Sequence, residues 1–278
     1  MPSETLRVQG IPMRWEEQGN GVPLVLVHGI PTSPALWRHV VPRLAGSARC
    51  MAWEMVGYGE SIPEGRERDI SVARQADYLL AWMDALGLRR VVLAGHDLGG
   101  GVVQIAAARR PSVCAGLFLT NAICYDSWPI PSVKAMRAMG GLVRHMPMPM
   151  LRAALAPLFT RGHDDTAQRR EAPEIHLAPY ARQDGAAALI RQVRALDVRD
   201  TLAVADRLST LHLPARVAWG VADPFQKIGY GERLAHDLAA PVRRIEGGRH
   251  FTPEDHPDIV AEEIGVLLEQ ARALPSGG

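Results

Sequence analysis

The sequence predicts an α/β domain with a mostly parallel, eight-stranded sheet, helices on both faces and an inserted helical cap. Short apolar runs alternate with helical runs along most of the 278 residues, which is typical of parallel strands joined by crossover helices. The alternation stops between residues 125 and 211, where helical patterns and Met- and Pro-rich patches replace it, and it resumes near Leu213. We therefore expect a core domain of residues 1–124 and 212–278 and a helical cap of residues 125–211.

Eight apolar runs bounded by turn residues predict the strands. They are Leu6–Gln9, Met13–Glu17, Leu24–His28, Cys50–Glu54, Val91–Gly95, Ala115–Thr120, Arg216–Trp219 and Val242–Glu246. Helical patterns include Ser71–Leu86, which has a serine to cap it and Gly87 to end it, and Gly99–Arg109. Pro257 begins a last helix through Ala273, and residues 274–278 are expected to lack regular structure.

The composition narrows the class of partner. The net charge is +1 with both signs interspersed, which favours neither nucleic acid nor an anionic membrane surface. The apolar runs are too short for a transmembrane helix and the first residues do not resemble a signal peptide, so a cytoplasmic location is expected. Cys50, Cys114 and Cys124 are expected to be buried free thiols without metal-ligand spacing. We expect a small-molecule substrate and no metal or cofactor, while no pattern addresses the oligomeric state.

The most informative motif is the hexapeptide Gly95–Gly100, Gly-His-Asp-Leu-Gly-Gly, between a predicted strand and a predicted helix. Its glycines allow a sharp turn, which presents Asp97 above the sheet edge and beside the positive end of the helix. A carboxylate in that position can attack an electrophilic carbon and form an ester on the protein. The sequence therefore predicts Asp97 as a nucleophile.

A carboxylate nucleophile needs a base, an orienting acid and oxyanion donors. His250 follows the last predicted strand in a glycine-rich loop, and Asp223 follows the strand before it. This order of nucleophile, acid and histidine predicts His250 as the base and Asp223 as its orienting partner, with Asp126 as an alternative partner. The backbone N–H groups of Leu98 and Ile30 are the predicted oxyanion donors.

Four motifs together resemble the α/β-hydrolase family, in its aspartate-nucleophile branch of epoxide hydrolases and haloalkane dehalogenases. They are His28-Gly29-Ile30-Pro31, Gly95-His96-Asp97-Leu98-Gly99-Gly100, Gly220-Val221-Ala222-Asp223-Pro224-Phe225 and Gly248-Arg249-His250-Phe251. The resemblance covers about Leu6 to Ala273. It implies a cofactor-independent hydrolase that forms an alkyl-enzyme ester and hydrolyses it with a histidine-activated water.

Two positions differ from the dehalogenase pattern. In that branch a tryptophan typically follows the nucleophile and an asparagine often follows His-Gly, and both donate hydrogen bonds to the departing halide. Leu98 and Ile30 stand there, and neither side chain is a donor. Trp128 in the predicted cap could supply one donor, although core packing is its other interpretation.

Epoxide opening needs an acid, which in the family is a cap tyrosine. Tyr180 is the first candidate and Tyr125 the second, with ordinary packing as the alternative for Tyr180.

The predicted substrate pocket includes Trp128, Phe225 and Phe251. The sequence thus favours an epoxide hydrolase for small apolar epoxides, with haloalkane dehalogenase as the alternative. An esterase or lactonase that uses Asp97 as general base, and a non-catalytic binding protein of the same fold, are further alternatives.

The chain has ten histidines, and their positions in the sequence distinguish His250 from the others. His28, directly before the predicted donor loop, is expected to be a structural hydrogen-bonding residue. His145, His163, His176 and His236 lie in cap or surface-like segments, and we expect them to be solvated.

Overall fold

The core of the fold is one eight-stranded sheet. The computed structural model describes residues 2–273, and its eight-stranded sheet has the order β1-β2-β4-β3-β5-β6-β7-β8. The first two strands pair antiparallel, whereas β4, β3, β5, β6, β7 and β8 are parallel neighbours. The strands are β1 Ser3–Val8, β2 Ile11–Gln18, β3 Val22–Val27, β4 Ala48–Trp53, β5 Val91–His96, β6 Cys114–Thr120, β7 Ala215–Gly220 and β8 Val242–Ile245. Each overlaps a predicted run, so the predicted eight-stranded α/β fold is confirmed.

The helices lie on both faces of this sheet and in one long connection. Their bounds are α1 Val41–Leu44, α2 Val72–Ala85, α3 Leu98–Arg109, α4 Pro131–Ala138, α5 Gly140–Val143, α6 Met148–Gly162, α7 Thr166–Arg182, α8 Gly185–Arg194, α9 Arg199–Leu202, α10 Ala205–Leu208, α11 Ile228–Asp237, α12 Thr252–Asp255 and α13 Pro257–Ala273. The Ser71 hydroxyl caps α2 by accepting from the Arg74 N–H, as predicted. The prediction for residues 274–278 lies outside the described residues.

The central strands are buried on both faces. Alternate side chains of β3 divide between two apolar clusters, with Val25 on one face and Leu24 and Leu26 on the other. Every residue of β5 is buried. Because these strands are parallel, their carboxyl ends meet at one edge, where loops can bring polar residues together. All three cysteines are free and buried, as predicted.

Helices alone fill the connection between β6 and β7. Residues 121–214, here called the helical segment, contain α4 to α10 and no strand among the residues that the structure describes. The division of the chain into a core domain and a cap of residues 125–211 stays a prediction. None of the helices within residues 2–273 has the length and hydropathy needed to cross a membrane.

The junction between the helical segment and α12 corrects one prediction. His163 and His176 are buried rather than solvated, because both contact acidic groups of α12. His176 Nε2 lies 3.0 Å from Glu254 Oε1, and His163 Nδ1 lies 2.8 Å from Asp255 Oδ1. The guanidinium of Arg38 also donates to Glu254. Burial would raise the pKa of Glu254, but the two histidines and Arg38 outweigh burial and lower the pKa to about 2.

Replacing Arg38 with methionine should destabilise the fold by about 3 kcal/mol, because it leaves the buried Glu254 carboxylate short of a charge partner. Urea unfolding measures this loss. Since the pKa of Glu254 is lowered by folding, the stabilisation is present above its ordinary pKa and is lost as the pH falls towards 2. The difference from the unmodified chain should therefore shrink in acid. Arg43→Met, which removes an exposed pair with Asp258, should cost less than about 1 kcal/mol, and equal losses for both variants would contradict this account.

Candidate active site

A strained turn between β5 and α3 presents Asp97. Its backbone has φ 49° and ψ −120°, a conformation that side-chain-bearing residues rarely adopt. The turn fits because Gly99 lies against β3: a Cβ there would be 2.1 Å from the Val27 carbonyl oxygen. The Asp97 backbone is thereby held at the carboxyl end of the sheet and at the N-terminus of α3.

Two backbone N–H groups act on the Asp97 carboxylate. Ile30 N–H donates to Asp97 Oδ2 at 2.9 Å, and the N–H of the next residue, Leu98, lowers the pKa of the same carboxyl group. Gly29 permits the close approach of the loop after β3, since a Cβ there would be 2.3 Å from Oδ2. Burial raises the pKa of Asp97, while His250 and the two N–H groups partly offset it. The structure therefore brings both predicted oxyanion donors to the predicted nucleophile.

His250 and Asp223 form a buried pair at the same edge. His250 Nδ1 lies 2.8 Å from Asp223 Oδ2, so the Nδ1–H donates and Nε2 keeps its basic lone pair. Burial acts to lower the pKa of His250, but the charges of Asp223 and Asp97 outweigh it and hold the pKa above its ordinary value. The alternative partner, Asp126, instead accepts from the exposed Tyr230 hydroxyl. Asp223 is thus the acid that the structure places on His250.

Asn121 supports the His250–Asp223 pair, and it is not among the site residues predicted from the sequence. It follows β6 with φ 41°, and its Nδ2 donates to Asp223 Oδ2 at 2.6 Å. Its Oδ1 accepts from Gly220 N–H at 3.1 Å. Phe225 N–H donates to Asp223 Oδ1 at 2.7 Å. The position of Asn121 directly after a predicted strand was the available signal, since polar residues at that edge of a parallel sheet converge.

The loop that carries His250 is fixed from two sides. The Gly162 carbonyl accepts from the N–H groups of His250 and Phe251, at 2.9 and 3.2 Å. His96 Nε2 lies 2.9 Å from the His250 carbonyl oxygen. Phe251 itself stacks on His163, with ring centroids 4.4 Å apart. It therefore supports the histidine loop from behind, and the prediction that it lines the substrate pocket is wrong for the cavity described next.

A small, largely apolar cavity connects Asp97 with His250. It has a volume of about 60 Å³, room for a molecule of only a few non-hydrogen atoms. Its wall is formed by Ile30, Asp97, Leu98, Ile123, Trp128, Pro129, Ile130, Val133, Leu158, Leu196, Phe225, Gln226 and His250. The predicted pocket residues Trp128 and Phe225 are among them. About half of the wall comes from the helical segment, so the cavity lies between that segment and the sheet edge.

The structure does not bring the predicted acids to this cavity. The Tyr180 hydroxyl donates to Gln192 Oε1 at 2.6 Å, and the Tyr125 hydroxyl donates to Asp237 Oδ2 at 2.6 Å. Neither tyrosine belongs to the described residues of the cavity wall. Packing and a local hydrogen bond account for both, which corrects their assignment as ring-opening acids.

His28 and Trp128 also use their hydrogen-bonding groups within the protein. Trp128 faces the cavity with its ring, but its Nε1–H donates to Thr201 Oγ1 at 2.7 Å. His28 accepts from Met55 N–H and donates to the Gly29 carbonyl. Burial lowers the pKa of His28 to about 3, so it is a neutral support for the donor loop.

Gly99→Ala should destabilise the protein by about 3 kcal/mol or more, because the new methyl group would collide with backbone atoms of β3 that cannot move aside. Chemical denaturation measures the effect. Gly265→Ala is the matched control, since a Cβ at this position in α13 meets nothing within 4 Å and alanine favours the helix by about 0.5 kcal/mol. Equal stability of the two variants would show that the turn does not depend on this contact.

Comparison with known proteins agrees with this fold. The family model of the alpha/beta hydrolase fold matches residues 22–148. A haloalkane dehalogenase of Mesorhizobium japonicum is 30% identical over 93% of this chain and 88% of its own length. Three other curated haloalkane dehalogenases align over only 33%, 41% and 36% of their length.

Solved structures extend the likeness to nearly the whole chain. An alpha/beta hydrolase fold protein from Burkholderia ambifaria is 25% identical, with a TM-score of 0.87 over 94% of this chain and 96% of its own. The epoxide hydrolase CorEH has a TM-score of 0.79 at 23% identity, over 96% and 98% of the two chains. The 30% identity with the Mesorhizobium japonicum protein, together with the family model, confirms the predicted hydrolase class. The chain belongs to the α/β-hydrolase family.

Proposed function

We propose that this hydrolase cleaves the carbon–halogen bond of small haloalkanes, with Asp97 as the nucleophile. The observation that carries the proposal is the cavity wall: it contains a carboxylate and a histidine but no phenol among the described residues. A halide leaves as a stable anion and needs no proton, whereas the alkoxide of an opened epoxide does. The similarity to a haloalkane dehalogenase over most of both chains supports the same choice.

The first step uses the unequal oxygens of Asp97. Oδ2 accepts from Ile30 N–H, which leaves Oδ1 available to attack carbon. A new Oδ1–carbon bond forms as the carbon–halogen bond breaks, and the halide departs with the electron pair. The apolar wall excludes competing water from the carboxylate until the substrate is bound.

The second step uses the His250–Asp223 pair. Nε2 of His250 takes a proton from water as the water oxygen attacks Cγ of Asp97. The developing oxyanion is Oδ2, the oxygen that already accepts from the Ile30 N–H, and a donor of this kind contributes about 3 kcal/mol in comparable sites. The N–H of Leu98, the other predicted donor, also favours negative charge on this carboxyl group. Collapse breaks the ester bond and the alcohol leaves with the proton from His250. The carboxylic acid that remains on Asp97 loses its proton to solvent, which restores the carboxylate.

His250→Gln should stop the reaction after its first step, because halide displacement needs no base but ester hydrolysis does. With 1,2-dibromoethane we expect at most one bromide released per protein molecule and a mass increase equal to the bromoethyl group. The intact-protein mass and the bromide count measure this result. The matched control is His236→Gln, at an exposed site, which should turn over normally. Diol formation from styrene oxide without bromide release would instead establish the epoxide reaction, and turnover of activated esters alone would establish the esterase.

Hydrolysis of the preformed ester should accelerate as the pH rises through the pKa of His250, because only neutral imidazole accepts the proton from water. That pKa is raised mainly by Asp223, against burial. Asp223→Asn should therefore move the midpoint to lower pH and reduce the plateau rate at least about 100-fold. Rapid-quench measurement of the ester isolates this step from the ionisation of Asp97. Asp258→Asn, at an exposed position, is the control, and an unchanged midpoint in Asp223→Asn would refute the assigned pair.

A further inference from the structure

One side chain of the cavity wall is polar yet has no place in the two steps above. Gln226 lies on the loop after β7 and is 3% exposed. The rest of the wall, apart from Asp97, His250 and Trp128, is apolar. Gln226 thus borders the small space that the substrate must occupy.

The protein leaves the oxygen of the Gln226 amide unpaired. This atom, Oε1, is buried and has no hydrogen-bond partner among the described residues. An unpaired buried polar group costs about 1–3 kcal/mol, and few remain in native structures without a functional reason. An apolar side chain of similar size would fill this position without that cost.

The position of Gln226 is nevertheless fixed. Its backbone carbonyl accepts from Trp219 Nε1–H at 2.9 Å, and the preceding residue, Phe225, donates to Asp223. The loop is therefore tied both to β7 and to the acid of the site. A side chain anchored in this way can hold a ligand without a large loss of conformational freedom.

Other N–H groups near the cavity are already engaged. That of Ile30 donates to Asp97, and that of Trp128 donates to Thr201. Attack by Asp97 expels the halide on the far side of the carbon, away from these donors of the turn. We infer that the amide N–H of Gln226 binds the departing halide and is a catalytic residue for the first step. This assignment rests on the proposed function. For this role the amide nitrogen of Gln226 must face the cavity. The two possible orientations of the amide differ only by exchange of the nitrogen and oxygen positions.

No proton moves in the step that Gln226 assists. The electron pair of the carbon–halogen bond goes to the halide, which accepts the amide N–H as the Asp97–carbon bond forms. A hydrogen bond to a charged acceptor is worth about tenfold or more in rate or binding. The benefit is greatest for the poorest leaving group, because more charge must be stabilised when the bond breaks late.

Gln226→Leu and Gln226→Met test this inference against matched 1-chloro-, 1-bromo- and 1-iodobutane. We expect kcat/KM to fall about tenfold or more for the chloride, less for the bromide and least for the iodide. Hydrolysis of the preformed ester should be unchanged. Both variants should unfold at a urea concentration no lower than the unmodified chain, because an unsatisfied amide is removed. Gln183→Leu is the control: its Oε1 is also unpaired, but its amide donates to Glu60 outside the cavity.

Sodium bromide provides a readout that does not depend on turnover. Calorimetric titration, with sodium sulfate at equal ionic strength as reference, should show about tenfold weaker bromide binding in Gln226→Leu. A uniform loss across the three haloalkanes, or unchanged bromide binding, would overturn the role of Gln226 while leaving the dehalogenase proposal intact. An unmodified chain that releases no halide and binds no bromide would overturn both.

Discussion

One hydrogen bond across the sheet edge, from the N–H group of Ile30 to Oδ2 of Asp97, is the constraint on which the site depends. It differentiates the two carboxylate oxygens before any substrate binds. The donor lies in the loop after β3, and Asp97 lies in the turn that leads into α3. Both elements must therefore be in register at the edge of the parallel sheet. The buried strands and the glycines at positions 29 and 99 make that register possible.

The opposite side of the site is organised around Asp223. Its two oxygens accept from His250, Asn121 and Phe225, so three separate connections after β6, β7 and β8 converge on one carboxylate. The helical segment contributes as well, since the carbonyl of Gly162 holds the His250 loop. Base, acid and cavity wall are thus parts of one packed unit. The shape of the cavity, and so the substrates that fit it, depends on the contact between the helical segment and the sheet edge.

The architecture and the polar residues of the turns could be predicted from the sequence, because both follow from local patterns. Strand-length apolar runs predicted eight strands, and the glycine-bounded turn predicted where Asp97 would lie. The sequence did not reveal what the helical segment would bring to the cavity. Tyr180 and Tyr125 have suitable chemistry, but long-range packing directs their hydroxyls to Gln192 and Asp237. His163 and His176 look like surface residues because their acidic partners on α12 are distant in sequence. Asn121 and Gln226 carry no motif, and only the folded arrangement shows their surroundings.

The central claim is that the carbon skeleton of the substrate becomes bonded to Asp97 and is released by attack of water on its carboxyl carbon. A single-turnover reaction in oxygen-18 water, followed by mass analysis of the peptide that contains residues 95–100, tests this claim most directly. The account predicts that one oxygen-18 atom enters Asp97 and that the first alcohol formed contains ordinary oxygen. Label in the alcohol, with none in the peptide, would contradict it and show that water attacks the substrate itself.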